Sequence, residues 1–479
     1  MTNLSGAHLY NGVAVDPRGE GRESLSAVLK YPAYKDSGVE WLGEVPEHWK
    51  LMPIKHLALL NPRKSGFAGD TKQLCSFVPM EKLKTGVVQL DEERPIEEVI
   101  GGYTYFEDGD VLQAKVTPCF ENMNVAIAKG LTNGIGFGSS EINVLRPFKG
   151  VNTEYLFYRV QEGSYMSFCT SSMIGAGGLK RVPTDVINNF KIAAPELFEQ
   201  TQIARFLDHE TARMDALIEE QQRLIELLKE KRQAVISLAV IKGLDPTVPM
   251  KDSGVEWLGE VPAHWVVSKF GYISSVVRGG SPRPAGDPEL FNGDYSPWVT
   301  VAEITKDDEI YLDETETFLT KKGSDQCRVF SKGTLLLSNS GATLGVPKIL
   351  MIDANANDGV VGFENISLDK EYSYLYLATL TEGLRDRAAG SGQPNLNTDI
   401  VKSIDVPVPP SNEVAEIVAA VKKLRAQFNF LSKEAAEGIR LLQERRSALI
   451  SAAVTGKIDV RGWQPPASVT TPELVQEAV

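Results

Sequence analysis

Cysteine and histidine are scarce in this chain, with four and five among 479 residues. Cys75, Cys119, Cys169 and Cys327 lie far apart and form no Cys-x-x-Cys pair, which excludes a disulfide scaffold and a cysteine zinc site. The histidines show no metal-ligand spacing, so no metal site is expected. No apolar run approaches the roughly 18 residues of a membrane-spanning helix. The first residues lack the basic-then-apolar pattern of a signal peptide. A cytoplasmic protein in a reducing compartment, without membrane contact, is expected. Catalytic signatures are missing too. There is no Gly-x-x-x-x-Gly-Lys-Ser/Thr phosphate loop and no strand-linked Gly-x-Gly-x-x-Gly. No Asp/Asn-Pro-Pro-Tyr/Phe motif occurs, and Asn61-Pro62-Arg63-Lys64 does not match it. These absences point to a binding protein with no catalytic or cofactor site of its own.

Positive charge is in short supply as well. The chain holds 50 Lys and Arg against 63 Asp and Glu, for a net charge of −13. Residues 266–406 carry 20 acids and 13 bases. Nucleic-acid affinity rests largely on cations that neutralise phosphates, and a free-standing binder usually shows a basic face. Binding to DNA would require locally concentrated charge, or charge supplied by partner subunits.

What the chain does have is repetition. Lys35–Trp49 reads KDSGVEWLGEVPEHW and Lys251–Trp265 reads KDSGVEWLGEVPAHW, differing at one position. Downstream, Leu228–Val240 (LKEKRQAVISLAV) resembles Leu442–Val454 (LQERRSALISAAV). Pro195 and Pro409, Glu199 and Glu413, and Ile203 and Ile417 pair at the same offset as this second repeat. The chain therefore holds two copies of one unit: opening motif, variable domain, proline, long helix. The interiors diverge, as expected of a fixed frame carrying two interchangeable parts. The boundaries expected are an N-terminal extension over 1–30, a first variable domain over 31–195 and a first long helix over 196–245. A second variable domain over 246–409, a second helix over 410–463 and a tail over 464–479 follow.

Heptads mark the helices. Along the run from about Leu197 to Ile241, Leu207, Met214, Leu228 and Val235 share one seam position, with Leu217 and Leu224 at the other. In the second copy Val421, Phe428, Leu442 and Leu449 share one position, with Leu424 and Leu431 at the other. Each helix would be about 65 Å long at 1.5 Å per residue. A single apolar stripe needs a partner, and the other copy is the simplest one. This predicts an antiparallel intramolecular coiled coil, although a homodimeric coil, or a helix packed on its own domain, has the same pattern.

The variable domains read as α+β or mixed α/β. Strands are expected at Val111-Leu112, Asn124–Ala128, Thr334–Leu337 and Lys348–Ile352, and helices at Tyr155–Val160 and Tyr372–Leu380. Base edges are read by residues with paired donors and acceptors, and glycine-rich loops approach phosphates closely. Candidate DNA-binding residues are Lys115, Thr117, Asn122, Asn124, Ser139, Ser140, Lys180 and Arg181 in the first copy. In the second they are Arg278, Ser281, Arg283, Ser338, Asn339, Ser340, Gln393 and Asn395. Any one of these loops could equally be a solvated surface loop. Trp41, Trp49, Trp257 and Trp265 lie in the repeated frame and are expected to pack as a hydrophobic clasp, with His48 and His264 structural.

The repeated opening motif and Gly109–Asn122 (GDVLQAKVTPCFEN) resemble the specificity subunits of type I restriction enzymes. So do Gly279-Gly280-Ser281-Pro282, Gly293–Trp298 and the pattern Pro195-x-x-x-Glu199-Gln200-x-x-Ile203. The second copy departs from that last pattern, with Val414 in place of glutamine. The resemblance implies two target-recognition domains, each reading half of a split double-stranded DNA sequence. It implies helices that set the spacer and dock two methyltransferase subunits, which carry S-adenosylmethionine and methylate adenine. Two motor-nuclease subunits using ATP and Mg would complete the complex. The rival readings are a coiled-coil adaptor without DNA specificity and a self-contained modification enzyme.

Overall fold

In the computed structural model, residues 30–64, 67, 69–176, 178–341, 343–388 and 395–466 are described. Residues 1–29 of the extension, residues 467–479 of the tail and Gln393 lie outside them. The chain forms two compact units: the first draws on two stretches, Met1–Glu220 and Gly438–Val479, and the second on one, Gln221–Glu437. Among the described residues, no helix is long and apolar enough to cross a membrane.

The two variable domains share one topology despite their divergent sequences. In the first unit an antiparallel sheet runs Val125–Ile127, Val111–Ala114, Ile142–Pro147, Ala58–Leu60. A second sheet runs Glu93–Pro95, Leu74–Val78, Ile135–Gly138, Thr104–Glu107, with its central pair parallel. The other unit repeats both orders. Its first sheet is Pro347–Leu350, Leu335–Ser338, Val360–Glu364, Ser275–Arg278, with Tyr311–Leu312 added at the Pro347–Leu350 edge. Its second is Phe318–Leu319, Ser296–Val299, Ala354–Ala356, Val329–Phe330. The central strands are buried on both faces: Val111–Ala114 and Leu335–Ser338 have no exposed residue. In the sequence the glycine turns before them, at Gly109 and Gly333, marked these strands. The expected apolar helices form at Thr153–Arg159 and Lys370–Thr379, capped by Asn152 and Asp369.

The long helices are Leu197–Lys242 and Ser411–Val454. In the first unit, Ile203, Leu207 and Met214 share a core with Leu449, Ile450 and Ala453 of the second helix, and Asp215 meets Arg446 at 3.2 Å. In the other unit, Ile236, Ala239 and Val240 share a core with Val414, Ile417 and Val421, and Arg232 donates to Asn429 at 3.0 Å. Within the first unit Gln202 bonds the Trp463 carbonyl and Asp215 meets Arg446, so the first helix advances while its partners retreat and the pairing there is antiparallel.

The seam is corrected in one respect. Leu207, Met214, Val421 and Leu449 are buried, and Leu228, Val235, Leu424, Phe428 and Leu442 are half-buried. Leu217, Leu224 and Leu431, by contrast, are 37%, 43% and 48% exposed. The second covered row lies four residues on from the Leu207 row, at Thr211, Ile218, Ile225, Arg232 and Ala239. At 100° per residue this row sits about 40° from the Leu207 row, whereas the row three residues on lies about 60° away on the other side. One partner helix covers only one of these flanks, and the leucine row lies on the other.

Each helix starts in the clasp expected of the repeated motif. Trp49 and Trp265 are fully buried. Trp49 Nε1 donates to Glu199 at 3.0 Å and His48 Nε2 lies 2.8 Å from the same carboxylate. Trp265 and His264 meet Glu413 at 2.9 and 2.7 Å. The Tyr31 hydroxyl also donates to Glu199 at 2.7 Å; burial and that carboxylate push its pKa far up. Trp41 stacks on Phe190.

The helix ends are seated alike. Gly243 and Gly456 follow the last helical turns with φ of +79° and +74°, the left-handed region that glycine adopts without cost. A Cβ at Gly456 would lie 2.4 Å from Pro46 and 3.3 Å from Trp49, and one at Gly243 would lie 3.3 Å from Trp265.

Candidate nucleic-acid interface

In the first unit, three loops that are distant in sequence meet at one edge. The strand Val111–Ala114 ends at Lys115, whose N–H donates to the Glu141 carbonyl at 2.9 Å and whose carbonyl accepts from Val182 N at 2.9 Å. Thr117 N donates to the Lys180 carbonyl at 3.0 Å. The Thr117 hydroxyl donates to the Gly178 carbonyl at 2.7 Å and accepts from Lys180 N at 2.9 Å. The hairpin of Ile174–Ala176 and Leu179–Arg181 is exposed along both strands. Ser139 and Ser140 occupy the turn into Ile142–Pro147, where the Ser139 hydroxyl accepts from Glu141 N. The structure thus gathers Lys115, Thr117, Ser139, Ser140, Lys180 and Arg181. Asn122 and Asn124 lie on the turn after Pro118, with Asn122 exposed and Asn124 half-buried.

Glu141 sits among these residues and was not anticipated. Arg181 donates to it twice, Nε to Oε2 at 2.8 Å and Nη2 to Oε1 at 2.9 Å. These bonds outweigh partial burial, and with nearby Lys115 they hold the Glu141 carboxyl below the usual carboxylate range.

The corresponding loops meet in the other unit. Asn339 N donates to Gly359 O at 2.9 Å, and Ser340 bridges to Asn395. Arg278 Nε donates to the Asp358 carbonyl at 2.6 Å, and the Ser281 hydroxyl to the Asp358 carboxylate at 2.7 Å. Exposed Arg283 stands nearby in sequence, its N–H donating to Gln326 at 2.9 Å. Two expectations are corrected. Ser338 and Asn339 are fully buried. The Ser338 hydroxyl bonds Thr343 O and Val346 N, and the Asn339 amide donates to Leu396 O. These side chains shape the loop from inside and cannot reach a ligand on its surface.

Glu141 and Asp358 occupy equivalent turns, Gly138–Ile142 and Ala356–Val360, each joining a strand of one sheet to a strand of the other. That shared position shows only in the fold, since the interiors diverge in sequence, and phosphate-seeking logic passes over acids. Among the described residues, no group of three or more His, Cys, Asp or Glu side chains is placed to hold a metal ion.

The family model described as type I restriction modification DNA specificity domain matches residues 105–227 and 262–439. The type I restriction enzyme EcoEI specificity subunit of Escherichia coli is 38% identical over 163 residues, 33% of this chain and 27% of that protein. The EcoAI specificity subunit of the same species is 34% identical over 198 residues, covering 39% and 33%. The matched segments thus span about a third or less of these two relatives. The StySPI specificity subunit of Salmonella potsdam is 22% identical over 375 residues, covering 73% and 77%. Among solved structures, the HsdS subunit from Thermoanaerobacter tengcongensis superposes with a TM-score of 0.51 at 17% identity, covering 86% of this chain and 98% of that one. A chain from a study of type I R-M complex assembly gives 0.65 at 18% identity, with the same coverage. Both solved structures share the fold.

Proposed function

The chain belongs to the type I restriction modification DNA specificity domain family, and from that premise we propose that it is the non-catalytic DNA-recognition subunit of a type I restriction–modification complex. Each variable domain reads one half of a split double-stranded site, chiefly in the major groove, where all four base pairs differ. The observation that carries this reading is the gathering of equivalent polar loops at one edge of each unit. In the first unit these present Lys115, Thr117, Ser139, Ser140, Lys180 and Arg181. In the second they present Arg278, Ser281, Ser340 and Asn395.

The paired helices set the spacer between half-sites. Their exposed leucine row, including Leu217, Leu224 and Leu431, docks two methyltransferase subunits. S-adenosylmethionine, and the ATP and Mg used by two motor-nuclease subunits, belong to those partners, which also supply the positive charge this acidic chain lacks. Single-molecule methylome sequencing of cells expressing this chain with its methyltransferase tests the proposal. Adenine methylation at a split sequence is expected; continuous sites, or no new sites, would refute it. Lengthening both helices by one heptad should change the spacer and leave the half-sites alone.

A further inference from the structure

A carboxylate at a DNA-facing edge repels phosphate, so Glu141 does not add affinity; its geometry suggests another use. Its two oxygens bind Arg181 through Nε and Nη2. An arginine held by that side keeps its outer edge, Nη1 with the second Nη2 hydrogen, free and in a fixed plane. Among the described residues, nothing else engages it. That outer edge matches the O6 and N7 acceptors of guanine. Arg181 stands on an exposed strand, with its side chain 48% exposed, and its backbone bridges to Val116 beside Lys115 and Thr117. The guanidinium therefore projects from the polar edge rather than lying in the fold.

We propose that Arg181 reads a guanine in one half-site and that Glu141 is the positioning residue that aims it. This rests on the DNA-reading proposal above. A free arginine samples many rotamers and meets phosphates and bases alike. One clamped by a carboxylate has already lost that freedom before binding, so less is lost on contact with a base. The clamp also neutralises part of the arginine's charge, which weakens its pull on phosphates. Both effects trade general affinity for discrimination at one base pair.

The test uses the full chain assembled with its methyltransferase subunits, selecting from a library of random duplexes. Wild type should select guanine at one position of one half-site. Arg181→Lys keeps the charge but not the fork, and should lower that preference about tenfold or more while leaving other positions intact. Glu141→Gln should lower it several-fold at the same position. The exchange Glu141→Arg with Arg181→Glu restores an ion pair, and with it thermal stability, but not the guanine preference. Two results overturn the inference: an unchanged preference in both single variants, or an equal loss for every sequence, the mark of a phosphate contact. If wild type selects no split sequence at all, the DNA-reading proposal itself fails. If it selects one that these variants leave unaltered, only the role of the Arg181–Glu141 pair fails.

Discussion

Trp49 donates its indole hydrogen to Glu199 across 150 residues of sequence, and Trp265 does the same to Glu413 across 148. An aromatic residue of each opening motif thus seats the first turn of each long helix. That constraint requires the same residues twice, which is why the motif is nearly identical in both copies while the domains between have diverged.

The two seats should differ in strength. Glu199 is 6% exposed and serves Tyr31, His48 and Trp49. Among the described residues Glu413 serves only His264 and Trp265, and its side chain is 31% exposed. Removing a buried acceptor strands its donors, so Glu199→Ala should cost about 3 kcal/mol and Glu413→Ala about 1 kcal/mol. Urea denaturation followed by tryptophan fluorescence measures both; equal costs would contradict the account.

Acid should loosen the first unit through Glu162. This side chain is 2% exposed, pairs with buried Arg159 at 3.0 Å, caps the helix Gly163–Ser171 and accepts from Ser451. Burial opposes its ionisation, but Arg159 and the N–H groups of Ser164 and Tyr165 outweigh that and lower its pKa. A lowered folded-state pKa gives stability that is complete above the unfolded carboxylate value and lost as pH falls through the folded one. Thermal melts between pH 7 and pH 3 should show the loss. Glu162→Gln should start several kcal/mol lower, because it leaves a buried charge unpaired, and should depend less on acid.

The leucine rows predict opposite phenotypes. Leu207→Ala opens a fully buried site and should cost about 2–5 kcal/mol. Leu217→Ser and Leu224→Ser replace exposed side chains and should change stability by less than about 0.5 kcal/mol. They should nonetheless weaken capture of the methyltransferase subunits in pull-down or gel filtration. Retained assembly in the double serine variant would count against the docking row.

Single cations should separate the half-sites. Lys180→Ala should lower duplex affinity evenly across sequences and flatten its salt dependence by about one phosphate contact. Arg278→Ala, in the other unit, should relax selection in the second half-site and spare the first. Competition binding over a salt series measures the former, and methylome sequencing the latter.

The sequence disclosed its frame more readily than its reading edges. The helix expected from about Leu197 to Ile241 spans Leu197–Lys242, because heptads and stop signals are local. The strands at Val111 and Leu335 were legible for the same reason. Which loops meet was not, because that depends on pairing between strands such as Val111–Ala114 and Ile142–Pro147, about thirty residues apart. Burial of Ser338 and Asn339 was hidden likewise, since a polar loop reads the same whether its groups bond inward or face water. Leu217 and Leu224 read as seam because leucines at heptad spacing give the same signal whether the row faces the partner helix or the surface.

Gly456 rests on Pro46 and Trp49 as Gly243 rests on Trp265 and Pro262. Gly243 leads straight into the motif that receives it, while Gly456 meets a motif that lies far upstream in sequence, at Pro46 and Trp49. The joint works equally well with or without covalent continuity. A permuted chain opened in the linker at residues 244–249, with the stretch after Gly456 led into the motif at Lys35–Trp49, would hold the same set of joints. Which of the two variable domains comes first along the chain is then of no consequence to the joints.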